Sequence, residues 1–251
     1  MIAGLLQRGR VEALEERRIG GGRLYPKPLQ PGKAEEIGEA RVSLSRDGLL
    51  EACDRYGCSR AKLPPGRGVH LEPVPALGRP EPLTSCIYVE FDAEVLHPGG
   101  SMTVWSLAPY EVAVTYENVV LARLTPLPSK ITLVGDLVEG RICRHHRSGV
   151  YESREEALAS REPGEAVLAV RLSGPPARVP GVAFYAAMLP IYTDEGGALY
   201  YPLVEMRIEE AQAMVRTTSQ PPTAGLEVAQ RGRRPLLLQP ALPQPLPPRR
   251  P

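Results

Sequence analysis

The densest group of chemically capable side chains in the sequence is Arg141-Ile142-Cys143-Arg144-His145-His146-Arg147. A guanidinium presents a planar fork of donors that matches phosphate or carboxylate oxygens, so Arg141, Arg144, His145 and Arg147 form a candidate anion-binding set. A solvated basic strand end explains the same letters without a ligand. On an extended strand the adjacent His145 and His146 leave on opposite faces, so one cation cannot take both.

Other chemistry is thinner. Cys53 and Cys58 could contribute two thiolates with a histidine, but structural zinc uses paired short spacings that complete a tetrahedron, and only one such pair is present, so no metal is expected. No Gly-x-Ser-x-Gly elbow occurs, and Cys143, two residues from His145, reads as a buried, inert thiol. Glu111 beside Tyr110 is a lone carboxylate without an acid–base partner, expected on a sheet surface, and His97 completes the short list of candidate proton carriers. Tyr110, Tyr116, Tyr185, Tyr192, Tyr200 and Tyr201 could line an aromatic platform for a sugar or a partner, although cross-strand packing accounts for them more simply.

The elements that must position these residues are strands. Ile87, Val89 and Phe91 alternate with Tyr88 and Glu90, then His97-Pro98-Gly99-Gly100 turns the chain into Ser101–Leu107. Val42 and Leu44 alternate with serines ahead of a hairpin signal at Arg46-Asp47-Gly48. Tyr110, Val112, Val114 and Tyr116 line one face against Glu111, Ala113, Thr115 and Glu117, and further strands are expected at Val119–Leu124, Lys130–Val134, Arg141–Arg147 and four places between Ala166 and Thr217. One short helix is predicted where Ser153 and Glu156 form a capping box, closing at Gly164.

The expected fold class is therefore mainly β, an antiparallel β-sandwich, one large or two abutting, with one short helix and a disordered proline-rich C-terminal tail. The boundaries read as residues 1–36 for an N-terminal helix or linker, 37–217 for the sandwich body and 218–251 for the tail, where Pro240–Pro248 also fits a polyproline II ligand pattern.

Composition narrows the function classes. With 251 residues, 30 Lys and Arg against 29 Asp and Glu, and a net charge of +1, there is no overall field to gather nucleic acid, so any anion site must be local and nucleic-acid contact through Arg144, Arg147 and the tail arginines is the weakest reading. Four cysteines are too few for a secreted disulfide framework, and no segment reads as a signal h-region or a membrane span, so a soluble cytoplasmic protein is expected. A single asparagine and 28 prolines give a thermophile-like composition.

Three stretches carry a resemblance: Leu71–Val74 leading through Pro80 to Thr84–Phe91, then Pro109–Val114, then Gly140–Ser148. In order and spacing they resemble an archaeal, uncharacterised domain of unknown function family, numbered 432, over roughly Ala40–Thr217. That resemblance implies an archaeal, soluble protein and no particular chemistry. The residues thus point to a non-catalytic binding or assembly module, taking an unknown protein or a small anionic ligand, without cofactor. The alternative is a hydrolase or transferase whose site is assembled from loops around Glu111, His97 or His145 and His146.

Overall fold

The computed structural model describes residues 25–77, 84–117, 119–128, 130–135, 140–210, 212–230 and 242–245. Strand β1 (Lys27–Leu29) is followed by a meander of β2 (Lys33–Ile37), β3 (Ala40–Leu44), β4 (Leu49–Asp54) and β5 (Gly57–Lys62). Then come β6 (Val69–Pro75), β7 (Cys86–His97), β8 (Gly100–Tyr116), β9 (Val119–Leu124), β10 (Lys130–Val134) and β11 (Arg141–Ser148). Helix α1 (Arg154–Ser160) precedes β12 (Glu165–Gly174), β13 (Ala177–Tyr185), β14 (Ile191–Thr193), β15 (Leu199–Tyr200), β16 (Val204–Ile208), β17 (Gln212–Thr217), β18 (Glu227–Gln230) and β19 (Leu242–Pro245).

Three sheets result: the meander, a four-stranded sheet ordered β10-β11-β7-β13, and an 11-stranded sheet whose spine runs β1-β6-β8-β12-β15-β14-β18. They share one continuous apolar core, to which Val42 and Leu44, Ile87 and Val89, and Val112 and Val170 each bring a different sheet. The predicted alternation holds in β7, where Ile87, Val89 and Phe91 are buried while Tyr88 and Glu90 are half-buried. The turn into β8 rests on Gly99 and Gly100, with φ of +102° and +81°, values that a side chain at either position would resist.

Most pairings are antiparallel, as the turn spacing predicts, but β11 runs parallel to β7 and β12 runs parallel to β15 and β16. Strand β8 departs from the predicted two-faced pattern: every residue from Ser106 to Thr115 is buried. Its N-terminal half pairs with β12 and its C-terminal half with β6 and β9, so it lies at the centre of the large sheet with both faces covered.

Strands also form outside the stretch read as the β body. The N-terminal segment read as helix or linker contains β1 and β2, paired to β6 and β3, and the proline-rich tail contributes β18 and β19, paired to β14 and β17. Backbone pairing rescues stretches whose composition alone could not signal a core role. Residues 1–24 and the remainder of 231–251 lie outside the described residues. Pro180 sits inside β13 at a register shift between Val179 and Gly181, where the missing donor is tolerated. A Cβ on Gly181 would lie 2.4 Å from the Val89 carbonyl oxygen, so this close approach of β13 to β7 requires glycine.

Helix α1 begins as predicted, with the Glu156 N–H donating to Ser153 Oγ (3.2 Å), while Glu156 Oε2 accepts the Glu152 N–H (3.1 Å). It ends earlier than Gly164: Arg161 is extended and donates its N–H to Leu158 O. The largest correction concerns sulfur. All four cysteines are paired, Cys53 with Cys58 across the β4–β5 hairpin and Cys86 with Cys143 across the parallel β7–β11 pair, so neither a thiol at Cys143 nor free thiolates at Cys53 and Cys58 exist in this state. No helix among the described residues is long and apolar enough to cross a membrane.

Candidate functional site

Period-two geometry sorts the basic cluster before any ligand is considered. In register, Arg144 opposes Ile87 and Ile131, and His146 opposes Val89, so these side chains share the core-facing side of the four-stranded sheet, while Arg141, His145 and Arg147 leave on the other. Arg144 is 0% exposed and Glu111, on β8, is 1% exposed; Arg144 Nη1 lies 3.7 Å from Glu111 Oε1, and Nη2 donates to the carbonyls of Leu127 (3.2 Å) and Pro128 (3.4 Å). Burial pushes the Arg144 pKa below its ordinary value, and the neighbouring carboxylate opposes that shift. Glu111 is thus a buried ion-pair partner, with Arg123 Nη1 also 3.8 Å away, and not the sheet-surface charge that its sequence context predicts.

Arg141 is exposed at the start of β11, its guanidinium 4.9 Å from the Tyr185 ring centroid. Of the predicted anion set, His145 and Arg147 border a cleft that neither Arg141 nor Arg144 lines. It holds about 380 Å³ at the C-terminal end of β11 and is bordered by Asp92, Lys130, His145, His146, Arg147 and Glu165 among others. Lys130 enters because β10 places it directly opposite His145. Glu165 enters because β12 starts beside the loop that follows α1.

His145, His146 and Arg147 each have an acidic neighbour. His146 Nε2 is 3.0 Å from Glu165 Oε1, and Glu165 Oε2 accepts the Glu162 N–H at 2.8 Å, so main chain fixes the carboxylate that orients the imidazole. His145 Nε2 is 2.8 Å from Glu90 Oε2, with its ring stacked on Tyr88 at 5.8 Å. Arg147 Nε donates to Asp92 Oδ1 at 2.5 Å in a pair that is more than half exposed on both sides.

Ser148, two residues beyond His146 on the same face, is the nearest hydroxyl on that strand, but it is committed elsewhere. Its Oγ accepts the Leu107 N–H (3.0 Å) and lies 3.0 Å from both Ser106 Oγ and the Gly149 carbonyl. It tethers the end of β11 to β8.

Of the remaining histidine and tyrosine candidates, Tyr116 and Tyr185 are half-buried and the others are interior. His97 is 2% exposed with Nε2 3.2 Å from the Gly174 carbonyl, bracing the β7–β8 turn against the end of β12. Tyr110, Tyr192, Tyr200 and Tyr201 are buried: Tyr200 donates to Asp194 Oδ2 (2.7 Å), Tyr201 to Pro109 O (2.6 Å) and Tyr192 to Ser219 O. Burial raises the phenol pKa of all four, with Asp194 adding to the effect at Tyr200. They pack; they do not form a platform. On the outer face of the meander, Glu51 joins Cys53 and Cys58, one candidate ligand atom from each lying within 4.8 Å of the others.

Asp92, Lys130 and Glu165 are cleft residues that sequence reasoning did not assign, whereas His146 entered there only through the alternative hydrolytic reading. Lys130 and Glu165 carry no motif, and only the β10–β11 register and the α1–β12 loop bring them near His145 and His146. Compared with known proteins, residues 27–243 match a family model described as a protein of unknown function (DUF432). No curated protein and no solved structure matches the chain.

Proposed function

The chain belongs to the DUF432 family, and from that premise we propose that it is a binding module for a small ligand with an anionic group, held in the cleft by Lys130, His145 and Arg147. The observation that carries this reading is the Arg147–Asp92 pair at the rim of the cleft. Exposed pairs of this kind contribute at most about 1 kcal/mol, so a bidentate oxyanion can replace Asp92 at small cost. The cleft volume of about 380 Å³ falls within the range of small-molecule sites, roughly 300–1,000 Å³.

Ser148, whose hydroxyl is held by main-chain groups and by Ser106 rather than by His146, supports the non-catalytic reading by offering no activated serine nucleophile. Isothermal titration with inorganic phosphate and with citrate tests the reading. Binding of either should weaken about tenfold or more in Lys130→Ala/Arg147→Ala, and unchanged affinity rejects the site.

One observation favours a second reading. The His146–Glu165 pair has the orientation of a general base fixed by a carboxylate, and such a base can activate water without a protein nucleophile. Turnover of p-nitrophenyl acetate or phosphate that disappears in His146→Ala would replace binding with hydrolysis as the function.

The proposed setting is the cytoplasm. Two intracellular disulfides there fit a hyperthermophilic source, the same source suggested by the arginine-rich, asparagine-poor composition.

A further inference from the structure

The two disulfides differ in their surroundings. Cys86 and Cys143 are 0% and 1% exposed and belong to the continuous core. Cys58 is exposed and Cys53 half-buried, on the solvent side of the β4–β5 hairpin, and Glu51 shares that side two residues before Cys53. Six opposed pairs, from Leu49 with Lys62 to Asp54 with Gly57, hold the two strands together, and Leu50 and Ala52 anchor β4 in the core. Breaking the sulfur–sulfur bond therefore leaves the hairpin in place, with both sulfurs still facing each other beside a carboxylate.

We propose that Glu51, Cys53 and Cys58 form a redox-gated site for a thiophilic divalent cation of the zinc class, closed as the disulfide and open as the dithiol. The opening step takes two electrons and two protons from a dithiol reductant. A reductant thiolate attacks the exposed Cys58 sulfur and forms a mixed disulfide as Cys53 leaves as thiolate; the second reductant thiol then displaces Cys58 and closes the reductant into a cyclic disulfide. Cation binding removes the two cysteine protons, giving two thiolates and one carboxylate around a dication, with the fourth position left to water.

Bond lengths are compatible with the hairpin. Zinc–sulfur bonds of about 2.3 Å at a tetrahedral angle need the sulfurs roughly 3.8 Å apart, a span that directly opposed strand residues reach by side-chain rotation. The surplus negative charge of the ligand set is balanced on the same face. Arg41 opposes Cys53, and Arg60 opposes Glu51 with Nη2 2.6 Å from Oε1. In that pair Arg60 is exposed and Glu51 half-buried with its carboxylate at the surface of the hairpin, so the carboxylate can turn to a cation at modest cost.

The test uses the full chain and Co²⁺ as a spectroscopic stand-in for zinc. A phosphine reductant is applied under native conditions, and alkylation with peptide mapping identifies the thiols that open. The expected result is reduction of Cys53 and Cys58 with Cys86–Cys143 retained, then one Co²⁺ bound per chain with a thiolate-to-cobalt charge-transfer band that the oxidised protein lacks. Cys53→Ser and Cys58→Ser each abolish the band, and Glu51→Gln weakens binding by about tenfold or more. Circular dichroism confirms that these solvent-face variants keep the β fold. The proposal is overturned if native reduction does not open Cys53–Cys58, if the open dithiol gives no band, if the band survives Cys53→Ser, or if Glu51→Gln binds as tightly as the parent.

Discussion

Arg144 and Arg147 lie three residues apart on one strand and answer to different physics. Arg144 is sealed against Glu111 and two carbonyls, so truncation removes one of the two guanidinium groups beside a buried carboxylate and the donor to both main-chain oxygens. Arg144→Ala should lower the unfolding free energy by about 3–5 kcal/mol, whereas Arg147→Ala should change it by less than about 1 kcal/mol, both read from urea denaturation. The alternation of the strand was legible enough to put His145 and His146 on opposite faces, but the two arginines were grouped in one anion set that the register divides between the faces. What lay over each face was not legible, because the carboxylate that meets Arg144 comes from β8, at position 111, and no local pattern records that encounter. The same limit hid the cleft: His145 and Arg147 were visible as candidates, but Lys130 and Glu165 join them only through register and a loop.

At the scale of elements, strands with strict alternation, such as β7 and β3, and the capping box of α1 could be read directly, since local side-chain order is the cause of each. Strands β1, β18 and β19 could not, because proline-rich, weakly periodic segments become strands only when a neighbouring edge offers them partners. The cysteine pairings were missed for a related reason: Cys86 and Cys143 are 57 residues apart and meet only because β11 lies parallel to β7. Chain-entropy reasoning gives about 4 kcal/mol for closing a 57-residue separation and about 2 kcal/mol for closing the 5-residue one. Cys86→Ala/Cys143→Ala should therefore lose about twice the stability lost by Cys53→Ala/Cys58→Ala, measured by guanidinium denaturation without reductant.

For the whole molecule, the predicted sandwich-like β architecture is present, with β8 belonging to both halves of the large sheet. The interior it organises holds Tyr110, Tyr200 and Tyr201, whose phenols burial keeps protonated above the ordinary value of 10.0. The unfolded chain releases these protons near pH 10 while the native state retains them, so their contribution is complete below about pH 10 and falls as pH rises beyond it. Ultraviolet titration of the 10 tyrosines should show a fraction that ionises only together with loss of the β circular-dichroism signal. Gradual ionisation of every phenol in the intact fold would contradict this interior.

The core-buried bridge between Cys86 and Cys143 also determines how the polypeptide survives damage. A protease that nicks the connection anywhere between those two positions cannot liberate either piece, because both remain covalently attached across neighbouring parallel strands. Such a clipped molecule should migrate as a single species in non-reducing electrophoresis and fall into two bands only once thiol is added to the denatured sample.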